Sequence, residues 1–419
     1  MYALVDANNF YVSCERVFRP DLHDKPVVVL SNNDGCIVSR SNEAKALGIK
    51  MAEPAFKIDN LLQKNHVIMF SSNYALYGDL SHRVMCILGQ FTPELEPYSI
   101  DEAFLNFAGL PVDWEEYAQR IRATVLKNVG IPVSIGVATT KVLAKAANHI
   151  AKKSPEYQGI HVLDSQEKIQ TALQEFDVIE VWGIGRQYAN LLKSLNVKTA
   201  WDFIQMSDAW VRKKMTVVGL RVKKELEGIS CLELELIPAT KKAICTSRSF
   251  GEAQTALEPI QEAVATYTAR CAEKLRRQQS CAGMLMVFIH TNGFKENEPQ
   301  YEKNFVCKLP VETNSTMELT RYSLAALQTI YKEGYRYKKA GVIVFDIVSE
   351  NLVQGALFDN VNRPKHDKIM KTLDRINGKF GRDALKLAVQ GSGQRWKLRQ
   401  EKLSPFYTTK WEDIITVRV

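Results

Sequence analysis

Asp101 and Glu102 are adjacent carboxylates in the run Tyr98-Ser99-Ile100-Asp101-Glu102-Ala103-Phe104, with apolar side chains leading up to them and away. The pattern reads as a β-hairpin with both acids at its tip. Neighbouring side chains on a strand point to opposite faces, whereas a tight turn lets two consecutive ones converge. Two like charges held together are costly unless a cation neutralises them. Taken alone, Asp-Glu is equally an ordinary solvated turn. A third acid changes that reading. Tyr2-Ala3-Leu4-Val5-Asp6 is a short apolar run ending in a carboxylate, and a helix-like segment follows from Asn8 through Cys14 and Val17. An acid at the C-terminal end of a buried strand is where α/β sheets present functional groups. With that strand beside the hairpin, Asp6, Asp101 and Glu102 form one oxygen-rich cluster suited to Mg²⁺. A pair of such ions about 3.5 to 4 Å apart is the usual machinery of phosphoryl and nucleotidyl transfer.

The elements that must position these acids follow along the chain. Lys25 to Leu30 reads as a second strand, followed by the polar turn Asn32 to Gly35, a short run Cys36 to Val38 and a helix from Ser39 to Leu47 stopped by Gly48. A long helix starts near Asn73. Trp114 to Val129 reads as a helix, Val133 to Ala138 as a strand, and Thr140 to Lys153 as a helix whose Lys141, Lys145 and Lys152 share a narrow sector, the usual sign of a solvated face. Val181-Trp182-Gly183-Ile184-Gly185 precedes an amphipathic segment with Leu191, Leu192 and Leu195, a pattern like a helix-hairpin-helix whose glycines let a turn approach phosphate. From about Lys241 a separate module alternates helix and strand: helices at 260 to 277 and 317 to 333, strands at 284 to 291, 305 to 309 and 340 to 348. Asn360 to Pro364 reads as a linker. Trp396, Phe406 and Trp411 argue against simple disorder beyond it.

Composition limits the classes of function. A chain of 419 residues with 46% hydrophobic and 24% charged side chains is long enough for two to four globular domains. No apolar run approaches a membrane span and no basic leader precedes the first strand, so a cytoplasmic protein with no membrane partner is expected. Eight scattered cysteines without a C-x-x-C pair fit buried thiols, and argue against zinc modules or a disulfide framework. The net charge of +8 is uneven: −2 over residues 1–235, +3 over 236–350 and +7 over 351–419. A far half that grips a polyanion and a near half that holds metal would have this distribution.

The runs Asp6-Ala7-Asn8-Asn9-Phe10-Tyr11, Leu30-Ser31-Asn32-Asn33-Asp34-Gly35-Cys36, Ser71-Ser72-Asn73-Tyr74, Tyr98 to Phe104 and Val181 to Gly185 closely resemble the Y-family translesion DNA polymerases, over essentially the whole chain. The resemblance implies an α/β multidomain, right-hand polymerase. Its parts are an α/β palm (1–19 and 71–165), small fingers (20–70), a helix-hairpin-helix thumb (166–235), an α/β little finger (241–350), and a clamp-binding peptide with a basic C-terminal extension (351–419). It implies error-prone, template-directed synthesis across damaged template in the SOS response, with two Mg²⁺ ions on Asp6, Asp101, Glu102 and the Ala7 carbonyl. No segment is left over for a 3′ to 5′ exonuclease, so low fidelity is expected.

By the same resemblance Phe10 and Tyr11 belong to the nucleotide-binding set, Tyr11 as a ring under the sugar that excludes a 2′-hydroxyl; an aromatic just after a metal-binding strand is usually core, and Phe10 reads so. Ser39, Asn42, Lys45 and Lys152 match positions on the triphosphate, Asn42 departing from the family's tyrosine and Lys45 from its arginine. Gly183 and Gly185 in the thumb, and Arg248, Arg336, Lys338 and Lys339 in the little finger, would touch the phosphates of primer-template DNA. Gln354, Leu357 and Phe358 resemble the Q-x-x-L-F peptide that docks on the sliding clamp. Deoxynucleoside triphosphates are the implied substrate, UmuD-type subunits and a RecA filament the further partners. Two readings stay open beside this one: a nucleotidyl cyclase with an acid-bearing palm, and a non-catalytic DNA-damage scaffold.

Overall fold

The computed structural model describes residues 1–392 and 396–416. The parts of the basic extension at 393–395 and 417–419 lie outside the described residues. The chain forms two compact units, one of Met1–Ser31, Gly35–Pro238 and the chain from Lys402 onward, the other of Asn32–Asp34 and Ala239–Glu401.

The first unit runs β1 (Tyr2–Ala7), α1 (Phe10–Phe18), β2 (Val27–Leu30), β3 (Ile37–Arg40), α2 (Asn42–Ala46), α3 (Asp59–Lys64), β4 (Ile68–Ser71), α4 (Tyr74–Leu88), β5 (Leu95–Pro97), β6 (Glu102–Asn106), α5 (Trp114–Val129), β7 (Val133–Ala138), α6 (Lys141–Lys153) and β8 (Ile160–Leu163). The helices α7 (Gln166–Glu175), α8 (Arg186–Ser194), α9 (Ala200–Ile204) and α10 (Asp208–Leu226) follow. A five-stranded sheet in the order β5-β6-β1-β7-β8 is antiparallel except for the β7–β8 pair, and a smaller sheet, β3-β2-β4, is built from residues 27–71.

The two faces of the large sheet separate by the period of two that a strand imposes. Ala3, Val5, Ala103, Leu105, Val133, Ile135 and Val137 pack with α1, α4 and α5. Leu4 and Phe104 pack on the other side with α6 and the helices beyond it. Register puts Asp6 opposite Glu102 and Ser134, and Leu4 opposite Phe104 and Gly136. Both carboxylates therefore share the α6 face. A β7 buried along its whole length and an α6 with a strongly apolar side are what a central strand covered by a helix requires.

The second unit is a four-stranded antiparallel sheet, β11-β10-β12-β9, made of β9 (Ala243–Gln254), β10 (Ser280–Thr291), β11 (Glu302–Thr313) and β12 (Tyr337–Ser349). Helices α11 (Leu257–Arg277) and α12 (Thr316–Ile330) cover one face.

Several expectations need correction. The helix expected over 39–47 is only Asn42–Ala46, because Ser39 and Arg40 finish β3 and Ser41 caps the helix by accepting from the Ala44 amide. β9 was not anticipated. The linker expected at 360–364 is cut short, since Asn362 caps a further helix, α13 (Arg363–Phe380). That helix packs on the second unit through buried Met370 and a two-bonded Arg276–Asp374 pair at 2.6 and 2.7 Å. The element before Gly183 is a single 3-10 turn, Val178–Glu180, where an apolar helix was expected.

Candidate active site

The hairpin is built by its own polar side chains. Tyr98 and Ser99 amides donate to the Glu102 carbonyl at 3.0 and 3.1 Å, and the Ser99 hydroxyl accepts from the Asp101 and Glu102 amides at 3.2 and 3.0 Å. The turn thus ends with Asp101 as its last residue and Glu102 as the first of β6. The Ala7 amide donates to the Asp101 carbonyl at 2.8 Å, which ties the end of β1 to the tip. Asp6, Asp101 and Glu102 therefore stand on neighbouring backbone.

The three lysines of α6 do not form a solvated face. Each reaches a carboxylate on the sheet beneath: Lys141 to Glu96 at 2.5 Å, Lys145 to both Glu102 oxygens at 3.0 and 3.1 Å, and Lys152 to Asp6 at 2.5 Å. The reason is tertiary. Helix α6 lies on the face that carries the even-numbered acids of β1, β5 and β6, so its charged sector points at the sheet. Lys145 is also ringed by Tyr98 at 4.6 Å, Trp182 at 5.3 Å and Phe104 at 6.0 Å, positions where a cation meets the negative faces of aromatic rings. Burial, opposed by Lys152 and reinforced by the charges of Glu102 and Asp101, pushes the Asp6 carboxyl up to about 6.

The donor set fits a hard divalent cation. Three carboxylates stand on adjoining backbone, and two already hold ammonium groups in the positions of compensating charge. Asp101 holds the Ser99 hydroxyl at 2.6 Å. The three acids each face a separate partner, and among the described residues no group of three or more His, Cys, Asp or Glu side chains is gathered as a ready-made ligand cluster.

Beside Asp6 a cavity of about 330 Å³ is lined by Lys152, Lys45, Asn42, Asn9, Arg122 and Gln158, among others. Burial and the neighbouring Arg40 and Lys152 charges lower the Lys45 pKa. Asn42 accepts from Asn9 at 3.1 Å and from Lys45 at 3.3 Å, so it bridges the two walls. Arg122 was missed in the sequence. It lies on α5 and no motif marks it, yet its buried Nε has no hydrogen-bond partner. Ser39 is buried, accepts from the Val12 amide at 3.4 Å and donates to the Asn9 carbonyl at 3.3 Å, bonds that shape the start of α1, and it is not among the residues that line this cavity. Phe10 is core. Tyr11 stacks on Tyr77 at 4.6 Å and meets Tyr74 edge-on at 5.9 Å, and burial pushes its hydroxyl up to about 12. A larger cavity, of about 700 Å³ around His149, His161 and Phe176, is lined by none of the expected site residues.

In the helical part, Gly185 caps the start of α8, and a Cβ added there would meet nothing within 4 Å. Gly183 has φ +101°, and a Cβ there would stand 2.6 Å from Val222 Cγ2, so this glycine is required by packing on α10 as well as by its backbone angle. In the second unit Arg248 is exposed on β9, and Arg336 is exposed near Glu298 at 3.8 Å. Lys339 sits over Phe288 at 5.9 Å. The Lys338 ammonium donates to the Phe250 and Gly251 carbonyls at 2.6 and 3.1 Å and so ties β12 to β9. Leu357 and Phe358 are 92% and 87% exposed, and Gln354 is exposed beside them, an uncovered apolar pair that a docking peptide would present.

Comparison with known proteins bears on the whole chain. Residues 5–149 match the impB/mucB/samB family and residues 241–357 its C-terminal domain, while residues 367–417 match a domain of unknown function. The chain is 43% identical to protein UmuC and 40% identical to protein ImpB of Salmonella typhimurium, in both cases over the full length of both chains. It is 30% identical to DNA polymerase IV of Dehalococcoides mccartyi over 69% of this chain and 74% of that one. Its fold matches a Y-family DNA polymerase chimera with a TM-score of 0.65 at 21% identity, covering 83% of this chain and 99% of the other. Among the described residues no helix is long and apolar enough to cross a membrane. The chain belongs to the impB/mucB/samB family and has the right-hand, multidomain fold of the Y-family DNA polymerases.

Proposed function

We propose that the chain copies damaged DNA template by adding deoxynucleotides to a primer, with error-prone synthesis in SOS damage tolerance as its task. The observation that carries this reading is the Asp6–Glu102 register pair with Asp101 beside it, within a chain so similar to protein UmuC. The palm would comprise 1–19 and 71–165, the fingers 20–70, the thumb 166–235 and the little finger 241–350.

The primer 3′-hydroxyl attacks the α-phosphate, forming the new O–P bond as the bond to pyrophosphate breaks. Asp6, Asp101, Glu102 and the Ala7 carbonyl would hold two Mg²⁺ ions, which when bound lower the hydroxyl pKa and offset charge on the triphosphate. Lys152 and Lys45 place ammonium groups along the cavity beside Asp6, where the β- and γ-phosphates would rest. Tyr11 supplies the wall against a 2′-hydroxyl. Gly185, the exposed Arg248 and Arg336, and the half-buried Lys339 would hold duplex phosphates without reading sequence. Gln354, Leu357 and Phe358 would dock on a sliding clamp, and UmuD-type subunits and a RecA filament would be the further partners.

Lys145 orients Glu102 from behind. Lys145→Ala should lower the extension rate by about tenfold and raise the Mg²⁺ concentration needed for half-maximal rate, as losses of outer partners of a metal ligand do. Lys145→Arg should recover most of it. An unchanged Mg²⁺ requirement in Lys145→Ala would remove this role.

The function itself is tested by primer extension on a singly primed template carrying one lesion, with accessory subunits, Mg²⁺ and deoxynucleotides. Extension past the lesion in the template's order, with one pyrophosphate released per nucleotide, is the expected result. A cyclic product from a nucleotide without primer would replace this reading with a cyclase.

A further inference from the structure

The terminal stretch of the chain returns to the first unit and is fastened there by buried polar groups. The Ser71 amide donates to the Lys402 carbonyl at 2.9 Å, and the Lys402 amide to the Ser71 hydroxyl at 3.0 Å. Asn73, which caps α4 by accepting from the Leu76 amide, turns its amide nitrogen to the Ser404 carbonyl, the Ser404 hydroxyl and the Pro405 carbonyl at 3.1 to 3.2 Å. Tyr407 stacks on Phe18 of α1 at 4.6 Å and 11°. A polar attachment this complete is specific to one position of the segment, since each buried donor and acceptor needs its own partner.

What the segment reaches is the floor under Tyr11. The Ser404 hydroxyl donates to Glu15 Oε1 at 2.9 Å, and the Tyr77 hydroxyl donates to the same oxygen at 2.7 Å. Glu15 and Tyr77 are fully buried, and Ser404 is nearly so. Tyr11 and Glu15 lie four residues apart on α1, Tyr74 and Tyr77 three apart on α4, so each pair projects from one helix face. The Tyr77 ring lies flat against the Tyr11 ring, at 4.6 Å and 16°. Glu15 is a costly residue to hold here. Burial raises its pKa in spite of both hydroxyl donors, and its second oxygen has no partner. A buried carboxyl in an aromatic floor is retained where its geometry, more than its stability, matters.

We propose that the C-terminal segment positions Tyr11 through Ser404, Glu15 and Tyr77, so that discrimination against ribonucleotides depends on a residue at the far end of the chain. The proposal rests on the reading of Tyr11 as the ring that excludes a 2′-hydroxyl. Exclusion by shape is sensitive to small displacements, because the ring must stay where the hydroxyl would clash and still clear the deoxyribose. With Ser404 in place, Glu15 Oε1 has two donors and holds the Tyr77 hydroxyl. Without it, the Glu15 carboxyl loses one of its two donors and is less firmly placed, so the Tyr77 hydroxyl is bonded to a looser partner and Tyr11 is stacked on a less fixed ring. Ser404 is a positioning residue and touches no substrate.

The test uses the full chain with its accessory subunits and a primer-template presenting guanine. Insertion of dCTP and of CTP is measured separately, and the ratio of the two kcat/KM values is the readout. Ser404→Ala and Tyr77→Phe should each lower that ratio by about fivefold, the size expected for one buried hydrogen bond, through faster use of CTP. Insertion of dCTP should stay within about twofold. The two substitutions together should do little more than either alone, because they break one network. Ser404→Thr should restore the ratio. Tyr11→Ala is the control for the underlying reading and should collapse it.

If Tyr11→Ala collapses the ratio while Ser404→Ala and Tyr77→Phe leave it native, the positioning role is wrong and the sugar wall stands. If Tyr11→Ala itself leaves the ratio native, the sugar wall is wrong and the proposal falls with it. Equal losses of dCTP and CTP insertion in Ser404→Ala would reduce the segment to a purely structural clasp and overturn the proposal.

Discussion

Asp101→Ala is expected to slow primer extension by about a thousandfold while leaving the protein folded and bound to DNA. The separation of the two effects follows from how the hairpin is made. The Asp101 backbone accepts from the Ala7 amide and donates to the Ser99 hydroxyl, and an alanine keeps both bonds. Among the described residues its carboxylate bonds only the Ser99 hydroxyl, a contact at the surface of the tip. The substitution therefore removes one negative charge from beside Asp6 and Glu102 and little else. The melting temperature should move by less than about 2 °C, since an exposed polar contact contributes a few tenths of a kcal/mol. Single-turnover extension and DNA binding are measured on the same preparation. Extension equal to the native chain would sink the carboxylate assignment. Loss of DNA binding together with extension would move weight to a scaffold that uses these acids for something other than chemistry.

How much of this was legible in the sequence depends on the distance over which each fact is decided. The hairpin with its two acids is local: Ser99, Asp101 and Glu102 make their turn with one another, and adjacent letters carry it. The meeting of Asp6 with Glu102 is a register fact across nearly a hundred residues, and the sequence pattern carries it only on the condition that β1 lies beside the hairpin. Lys141, Lys145 and Lys152 show where periodicity ends. A helix wheel reports that three charges share a sector and cannot say whether water or a sheet with acids lies opposite. β9 escaped because Arg248 falls in the even-numbered set with buried Ile244, Thr246 and Phe250 and so interrupts the alternation that marks a strand. The return of the chain at Lys402 to Tyr407 escaped for a different reason: it contains no regular element, and its attachments are to Ser71, Asn73, Glu15 and Phe18, hundreds of residues earlier.

Gly136→Ala should be the most damaging single-methyl change in the first unit. Gly136 lies at the centre of β7 opposite Leu4, on the face that α6 covers. A Cβ there would stand 2.1 Å from the Asn148 amide nitrogen, 2.3 Å from the Ala144 carbonyl oxygen and 2.8 Å from the Ala147 carbonyl carbon. All three are backbone atoms of one helix, so no side chain can rotate aside and the helix itself must lift by about an ångström to restore ordinary contact. Lifting it strains the two bonds by which the Asn148 side chain holds α6 to the sheet, to the Ser134 carbonyl at 2.7 Å and the Leu4 carbonyl at 3.3 Å. It also withdraws Lys145 from Glu102 and Lys152 from Asp6, which depend on the same closeness. Overpacking against unyielding backbone belongs at the upper end of its usual cost, about 3 kcal/mol. Thermal unfolding of the purified protein should fall by about 5 °C or more, and extension by whatever remains folded should fall at least as far as in Lys145→Ala. A melting temperature within about 2 °C of native would mean that the sheet and α6 can part without cost. In that case the close seat of the helix could not be what brings its lysines to the acids.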